Sequence, residues 1–132
     1  MDIQRPRTSL NRYPGILTDW GGNFLDKRIL NHIRVGNIVR VSFTDTLKRE
    51  QNNTAYFEII RQCKKNKNWF VGICQDPYYG ENNDWFLLRN GDERAFSIHH
   101  ITEIPLTWAN NKNLEKNART YRKRMTATGA LW

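Results

Sequence analysis

Residues 56–104 read YFEIIRQCKKNKNWFVGICQDPYYGENNDWFLLRNGDERAFSIHHITEI, and the alternation within them decides the fold. Over Ala55–Cys63, Phe57 and Ile59 alternate with Tyr56 and Glu58, and Ile60 makes the middle apolar on both sides. Successive side chains of a strand point to opposite faces, so a period of two marks a half-buried strand. Lys64–Lys67 form a polar turn, after which Trp69, Val71 and Ile73 alternate with Phe70, Gly72 and Cys74. Gly72 suits a sharp bend or the close approach of another backbone. Gln75–Asn83, with Pro77, Tyr78, Tyr79 and Gly80, reads as a loop, and Trp85–Leu88 as a strand. Asn90-Gly91-Asp92 is a hairpin signal, because Asn and Gly both accept positive φ. Arg94–Ser97 returns, Ile98–His100 makes one tight turn, and Ile101–Ile104 closes the sheet.

Upstream, Gly36 and Asn37 introduce IVRVSF, in which Val39, Val41 and Phe43 alternate with Arg40 and Ser42; residues 44–54 are a long polar loop. Five or six short strands at this spacing predict a mainly β chain, folded as a small antiparallel barrel, closed or nearly closed. Residues 1–15 read as a basic extended arm. Gly21-Gly22 is a turn, and Asn23 is placed to cap a short helix from Phe24 to about Asn31. Trp20, Phe24 and Ile29 are expected to cover one open end of the barrel. Pro105 ends the barrel. Beyond Asn111, Leu114, Ala118, Tyr121 and Met125 fall on one helical stripe, with Lys112, Lys116, Arg119, Arg122, Lys123 and Arg124 on the remainder. The expected division is therefore 1–35, an arm with a short helix; 36–105, the barrel; and 106–132, a basic amphipathic helix and tail.

The charge is unevenly spread. The chain of 132 residues carries +8, with 21 basic and 13 acidic side chains. Residues 1–35 hold six basic and three acidic residues, 36–105 nine of each, and 106–132 six and one. The barrel is neutral and the excess sits in its flanks, with Arg61, Lys64, Lys65 and Lys67 as a local patch on one turn. Arginine outnumbers lysine 13 to 8, and its guanidinium fork suits bidentate phosphate contacts. Such a balance favours anionic partners. No run approaches the roughly 20 apolar residues of a membrane span, and residues 1–15 lack the apolar segment of a secretory signal. The expectation is an intracellular protein, in cytoplasm or nucleus, or one packaged into a virion, with no membrane partner.

Catalytic and metal chemistry find little support. His99 and His100 are adjacent in a tight turn and so point apart, with no carboxylate or cysteine at a ligand-like spacing. Asp76, Asp84, Asp92 and Glu93 sit in turns, where Asp commonly serves the backbone. Cys63 and Cys74 fall at positions too distant to bond within the hairpin and read as reduced thiols. No catalytic residue, metal or cofactor is expected. The binding candidates are Arg5, Arg7, Arg12, Lys64, Lys65, Lys67, Lys116, Arg119, Arg122, Lys123 and Arg124 for nucleic acid, and Trp69, Tyr78, Tyr79 and Trp85 for an aromatic pocket. Alternation buries one of Trp69/Phe70 and one of Trp85/Phe86, so part of that cluster is core.

WFVGICQDPYYG, followed by RNGDERAFSIHHITEI, resembles small Tudor-like barrels of the Src-homology-three type, in which a Gly-Asp turn precedes an alternating strand, one helical turn and a short closing strand. It is also similar to uncharacterised small barrel domains of phages and large DNA viruses. The resemblance covers about residues 36–104. It implies a binding module rather than an enzyme, since such barrels bind peptides, methylated side chains or nucleic acid. The sequence thus points first to a non-enzymatic DNA- or RNA-binding accessory protein making sequence-nonspecific phosphate contacts. The alternative is a protein-interaction or structural module, binding a peptide through the aromatic face or forming a homodimer through the C-terminal helix.

Overall fold

The computed structural model describes residues 8–10, 17–45, 53–76, 78–79 and 88–127. Over these the chain is mainly β. Strands β1 (Thr8–Leu10) and β2 (Thr18–Asp19) precede a 3-10 helix at Lys27–His32. Then follow β3 (Ile38–Asp45), β4 (Asn53–Gln62), β5 (Trp69–Cys74), β6 (Tyr78–Tyr79), β7 (Leu88–Arg89) and β8 (Glu93–Ser97). A 3-10 turn at Ile98–His100 leads into β9 (Ile101–Ile104), and a turn at Ala109–Asn111 starts helix α1 (Lys112–Ala127).

The main sheet runs β2-β9-β3-β4-β5-β8, with β1 also bonded to β3. Each alternating run found in the sequence lies on this path, and the tight turn at Ile98–His100 sits where it is expected. The expected closed antiparallel barrel does not appear. After the Ile98–His100 turn the chain crosses to pair β9 with β3 rather than with β8, so among the described residues the hydrogen-bonded path ends at β8 and β2. The sheet is also mixed, because β2 pairs parallel to β9. Two further expectations are corrected. Tyr78–Tyr79 is a strand, pairing with β7 in a separate two-stranded sheet. Asn90-Gly91 does form a turn, with Gly91 at φ 93°, but it links two sheets and no ladder joins β7 to β8 among the described residues. The N–H of Gly91 instead donates to the Cys74 carbonyl (2.9 Å), docking the turn on the end of β5.

Alternation sets the core. Val39, Val41, Phe43, Ala55, Phe57, Ile59, Phe70, Cys74 and Phe96 are buried from β3, β4, β5 and β8. A register shift interrupts β4: Ile59 faces Gly72, but Arg61 faces Val71, leaving Ile60 as the extra residue. One bulged residue flips the side-chain parity beyond it. Arg61, which strict alternation from Phe57 and Ile59 would turn inward, therefore lies exposed. Gly72 behaves as expected: a Cβ there would stand 2.7 Å from Phe96 Cε2 and 2.9 Å from Phe57 Cβ.

Both flanks enter the same core. Leu17, Leu25, Ile29 and Ile33 from one side, and Leu106 and Leu114 from the other, join the strand residues in a single cluster. The short helix is 3-10 and begins later than expected. Its N-cap is Asp26, whose Oδ1 accepts from the Arg28 N–H (2.9 Å), while Asn23 is tied to Asp19 in the preceding turn. Ile29 is buried, but Trp20 and Phe24 are 65% and 73% exposed, so they do not cover an end of the sheet. Leu25 and Ile33 of the same segment are buried in the core cluster instead.

Candidate nucleic-acid interface

Backbone and side-chain hydrogen bonds close the β4–β5 turn. Cys63 N–H donates to the Trp69 carbonyl (2.9 Å), Trp69 N–H to the Asn66 carbonyl (3.0 Å), and the Gln62 side-chain amide to the Lys67 carbonyl (2.7 Å). Asn66 Oδ1 accepts from the Asn68 N–H (3.1 Å), the local bond that makes asparagine a turn residue. Lys64, Lys65 and Lys67 all project from this turn exposed, and no carboxylate pairs with them among the described residues.

Beside the turn lies an open groove of about 430 Å³, lined by Arg61, Gln62 and Cys63 of β4, Trp69, Phe70 and Val71 of β5, and Ala95 of β8. The cross-strand register accounts for it: Arg61, Val71 and Ala95 face one another across three strands on the outer side of the sheet. Trp69 is 39% exposed whereas Phe70 is buried, which resolves that pair as alternation requires. The indole meets the His100 ring edge-on, 5.7 Å between centroids at 69°. Arg61 pairs with Glu93 (2.9 Å), both more than half exposed, and such a surface pair is worth at most about 1 kcal/mol.

His100 has a structural task. Its Nδ1 accepts the Ser97 N–H (3.0 Å) while Ser97 Oγ accepts the His99 N–H (3.2 Å), a reciprocal cap of the short turn. Burial, and then the neighbouring His99, hold the His100 imidazole below its usual range. The turn carboxylates likewise serve the backbone: Asp76 accepts from the Tyr56 N–H (2.7 Å) and Asp92 from the Arg89 N–H (2.9 Å). Cys63 is exposed and Cys74 buried; both are free thiols, and burial pushes the Cys74 thiol up. Across the sheet, Tyr56 donates to Glu103 (2.8 Å), which also holds Arg40 (3.3 Å). Burial first, then that hydrogen bond, push the Tyr56 phenol up to about 12. Among the described residues no group of three or more His, Cys, Asp and Glu is placed to hold a metal, and no helix is long and apolar enough to cross a membrane.

The second cationic surface is α1. Leu114 is fully buried, and Ala118 and Tyr121 pack on the core. Tyr121 shares a hydrogen bond with His32 Nε2 and lies under the Arg28 guanidinium at 4.5 Å. Leu114, Ala118 and Tyr121 of the apolar stripe are thus spent inside the chain, and Lys112, Lys116, Arg119 and Arg122 are left outward. Arg119 also reaches Glu115 (3.2 Å) one turn earlier.

Of the residues singled out in the sequence, the structure brings Lys64, Lys65, Lys67 and Trp69 onto one hairpin end and carries Lys116, Arg119 and Arg122 on α1. Lys123 and Arg124 belong to α1, and Tyr78 and Tyr79 to β6, with their side chains outside the description. Arg5, Arg7, Arg12 and Trp85 lie outside the described residues. The groove itself was not legible: it depends on the bulge that turns Arg61 and Cys63 to the face of Val71 and Ala95. No protein family, curated protein or solved structure matches the chain.

Proposed function

We propose that this chain is a non-enzymatic nucleic-acid-binding protein, contacting phosphates without sequence preference from cations presented on a small Tudor-like β scaffold. The carrying observation is the Lys64, Lys65, Lys67 turn: three exposed ammonium groups on a hydrogen-bonded hairpin end, beside a half-exposed tryptophan. The outward face of α1 adds a second set. Arg5, Arg7 and Arg12 extend the same reading to the N-terminal segment, and a packaging or chromatin-like accessory role fits it. Phosphate contacts release condensed counterions, so affinity falls steeply with salt. A titration with duplex DNA and with RNA at two salt concentrations tests this. Replacing Lys64, Lys65 and Lys67 together with Gln is expected to lower the slope of log affinity against log salt by about 2–3. No binding at low salt overturns the reading.

The second reading, a protein-interaction module, is favoured by one observation. Trp20 and Phe24 stand 65% and 73% exposed around a single turn, and both are large apolar side chains. Because Leu114 and Tyr121 pack within the chain, this aromatic pair is a better surface for self-association than the stripe of α1. Light scattering distinguishes the readings: a dimer that persists in high salt and dissociates on Trp20→Asp favours the second. A cage for methylated lysine or arginine is less well supported, since the groove's lining includes the cation Arg61 and Trp69 is the exposed ring among its lining residues.

A further inference from the structure

The groove and the lysine turn adjoin, and their chemistry is complementary to one ligand. Val71 and Ala95 make an apolar floor and Trp69 a half-exposed aromatic wall, while the exposed Lys64, Lys65 and Lys67 lie in the turn between the lining residues Cys63 and Trp69. Its volume of about 430 Å³ falls within the roughly 300–1,000 Å³ of small-ligand clefts. The indole is already positioned by its edge contact with His100 and by the two backbone bonds that close the turn, so little ordering remains on binding. We propose that this site binds unpaired nucleic acid: one base stacks on Trp69 within the groove while the lysines hold the adjoining phosphates. The proposal rests on the nucleic-acid reading and narrows it to the single strand. In a duplex each base face is covered by its neighbours, so paired DNA would meet the lysines without using the groove. An unpaired strand offers a free face, and base–aromatic stacking tolerates any sequence.

The test compares three labelled probes of equal length by fluorescence anisotropy: oligo-dT, a duplex, and an abasic phosphodiester strand. Full-length protein is used, with Trp69→Ala and Trp69→Phe variants checked for folding by thermal melting. The expected result is that oligo-dT binds more tightly than the duplex or the abasic strand. Trp69→Ala should reduce affinity for oligo-dT about 5- to 100-fold, the range that stacking of one base on one ring supplies. Its affinity for the abasic strand should not change, and Trp69→Phe should retain most of the binding. Cys63 lines the groove and is exposed, whereas Cys74 is buried; oligo-dT should therefore slow alkylation of Cys63 by iodoacetamide, and the abasic strand should slow it less. Equal affinity for oligo-dT and the abasic strand, or an unchanged Trp69→Ala, overturns the proposal while nucleic-acid binding stands. Failure of all three probes to bind at low salt removes the nucleic-acid reading with it.

Discussion

At the scale of single residues, Gly72 and His100 carry the sharpest consequences. A methyl group at Gly72 would meet Phe96 and Phe57 inside 3 Å, between the two strands flanking β5. Both rings are buried and cannot retreat into solvent. Gly72→Ala should therefore destabilise the fold by about 1–3 kcal/mol, the usual cost of overpacking, read as a lower urea midpoint with unchanged slope. His100 acts through protonation. Its Nδ1 accepts the Ser97 N–H, which only the neutral ring can do. The folded pKa lies below the unfolded one, so the stability it contributes is complete above the unfolded value of about 6.5 and is lost as pH falls through the folded value. Thermal melts should show a loss of stability on acidification from about pH 6.5, and His100→Phe should weaken that dependence; an unchanged profile in the variant would place the effect elsewhere. Gly72 was legible, because a glycine inside an alternating strand signals close approach. His100 was not, since a His-His pair in a turn carries no mark of which ring faces the backbone.

Among the elements, the join between α1 and β3 departs most from what composition suggested. The chain holds 15 asparagines, a residue that ordinarily favours turns and loops, yet two of them are buried. Asn111 donates to the carbonyls of Ile38 and Pro105 (2.9 Å each) and accepts the Ile38 N–H (2.8 Å), so its amide substitutes for a neighbouring strand at the start of β3. Asn37 accepts the Arg34 N–H (2.8 Å) and donates to the Asn110 carbonyl (2.9 Å) and Asn113 Oδ1 (2.8 Å). A side chain that imitates a backbone partner leaves no periodic trace in sequence, which is why the strands were readable and this clasp was not. Asn111→Ala would strand the N–H and the carbonyl of Ile38, each costing about 1–3 kcal/mol when unsatisfied, and would leave the Pro105 carbonyl with the Trp108 N–H alone (3.2 Å). A drop of about 3 kcal/mol or more is expected in denaturant titration. Asn111→Asp should be no better, because a carboxylate offers no donor to the two carbonyls. If Asn111→Asp retains wild-type stability, the amide donor is not what holds the clasp.

For the molecule as a whole, charge and packing divide the work differently from the barrel-with-arms picture. The net charge does lie outside residues 36–105, but the segments that carry it also supply Leu17, Ile29, Leu106 and Leu114 to one core. Charge partition is additive along a sequence and could be read directly. The packing of a flank depends on long-range contacts and could not. This decides how the cationic surface of α1 must be tested. Truncation after Pro105 removes Leu106, Asn111 and Leu114 together, and burial of one such leucine is worth about 2–5 kcal/mol by comparison with Leu→Ala changes. Against a total stability of about 5–15 kcal/mol, the truncated chain should lose its cooperative thermal transition, and its failure to bind nucleic acid would then report unfolding. The discriminating variant is Lys116→Gln with Arg119→Gln. Both side chains are exposed, and the Arg119–Glu115 pair is a surface interaction worth a few tenths of a kcal/mol. Its melting temperature should therefore stay within a few degrees of wild type. The slope of log affinity against log salt should fall by about 1–2, roughly one unit for each phosphate left without its cation. An unchanged slope with an intact fold would show that neither Lys116 nor Arg119 contacts phosphate.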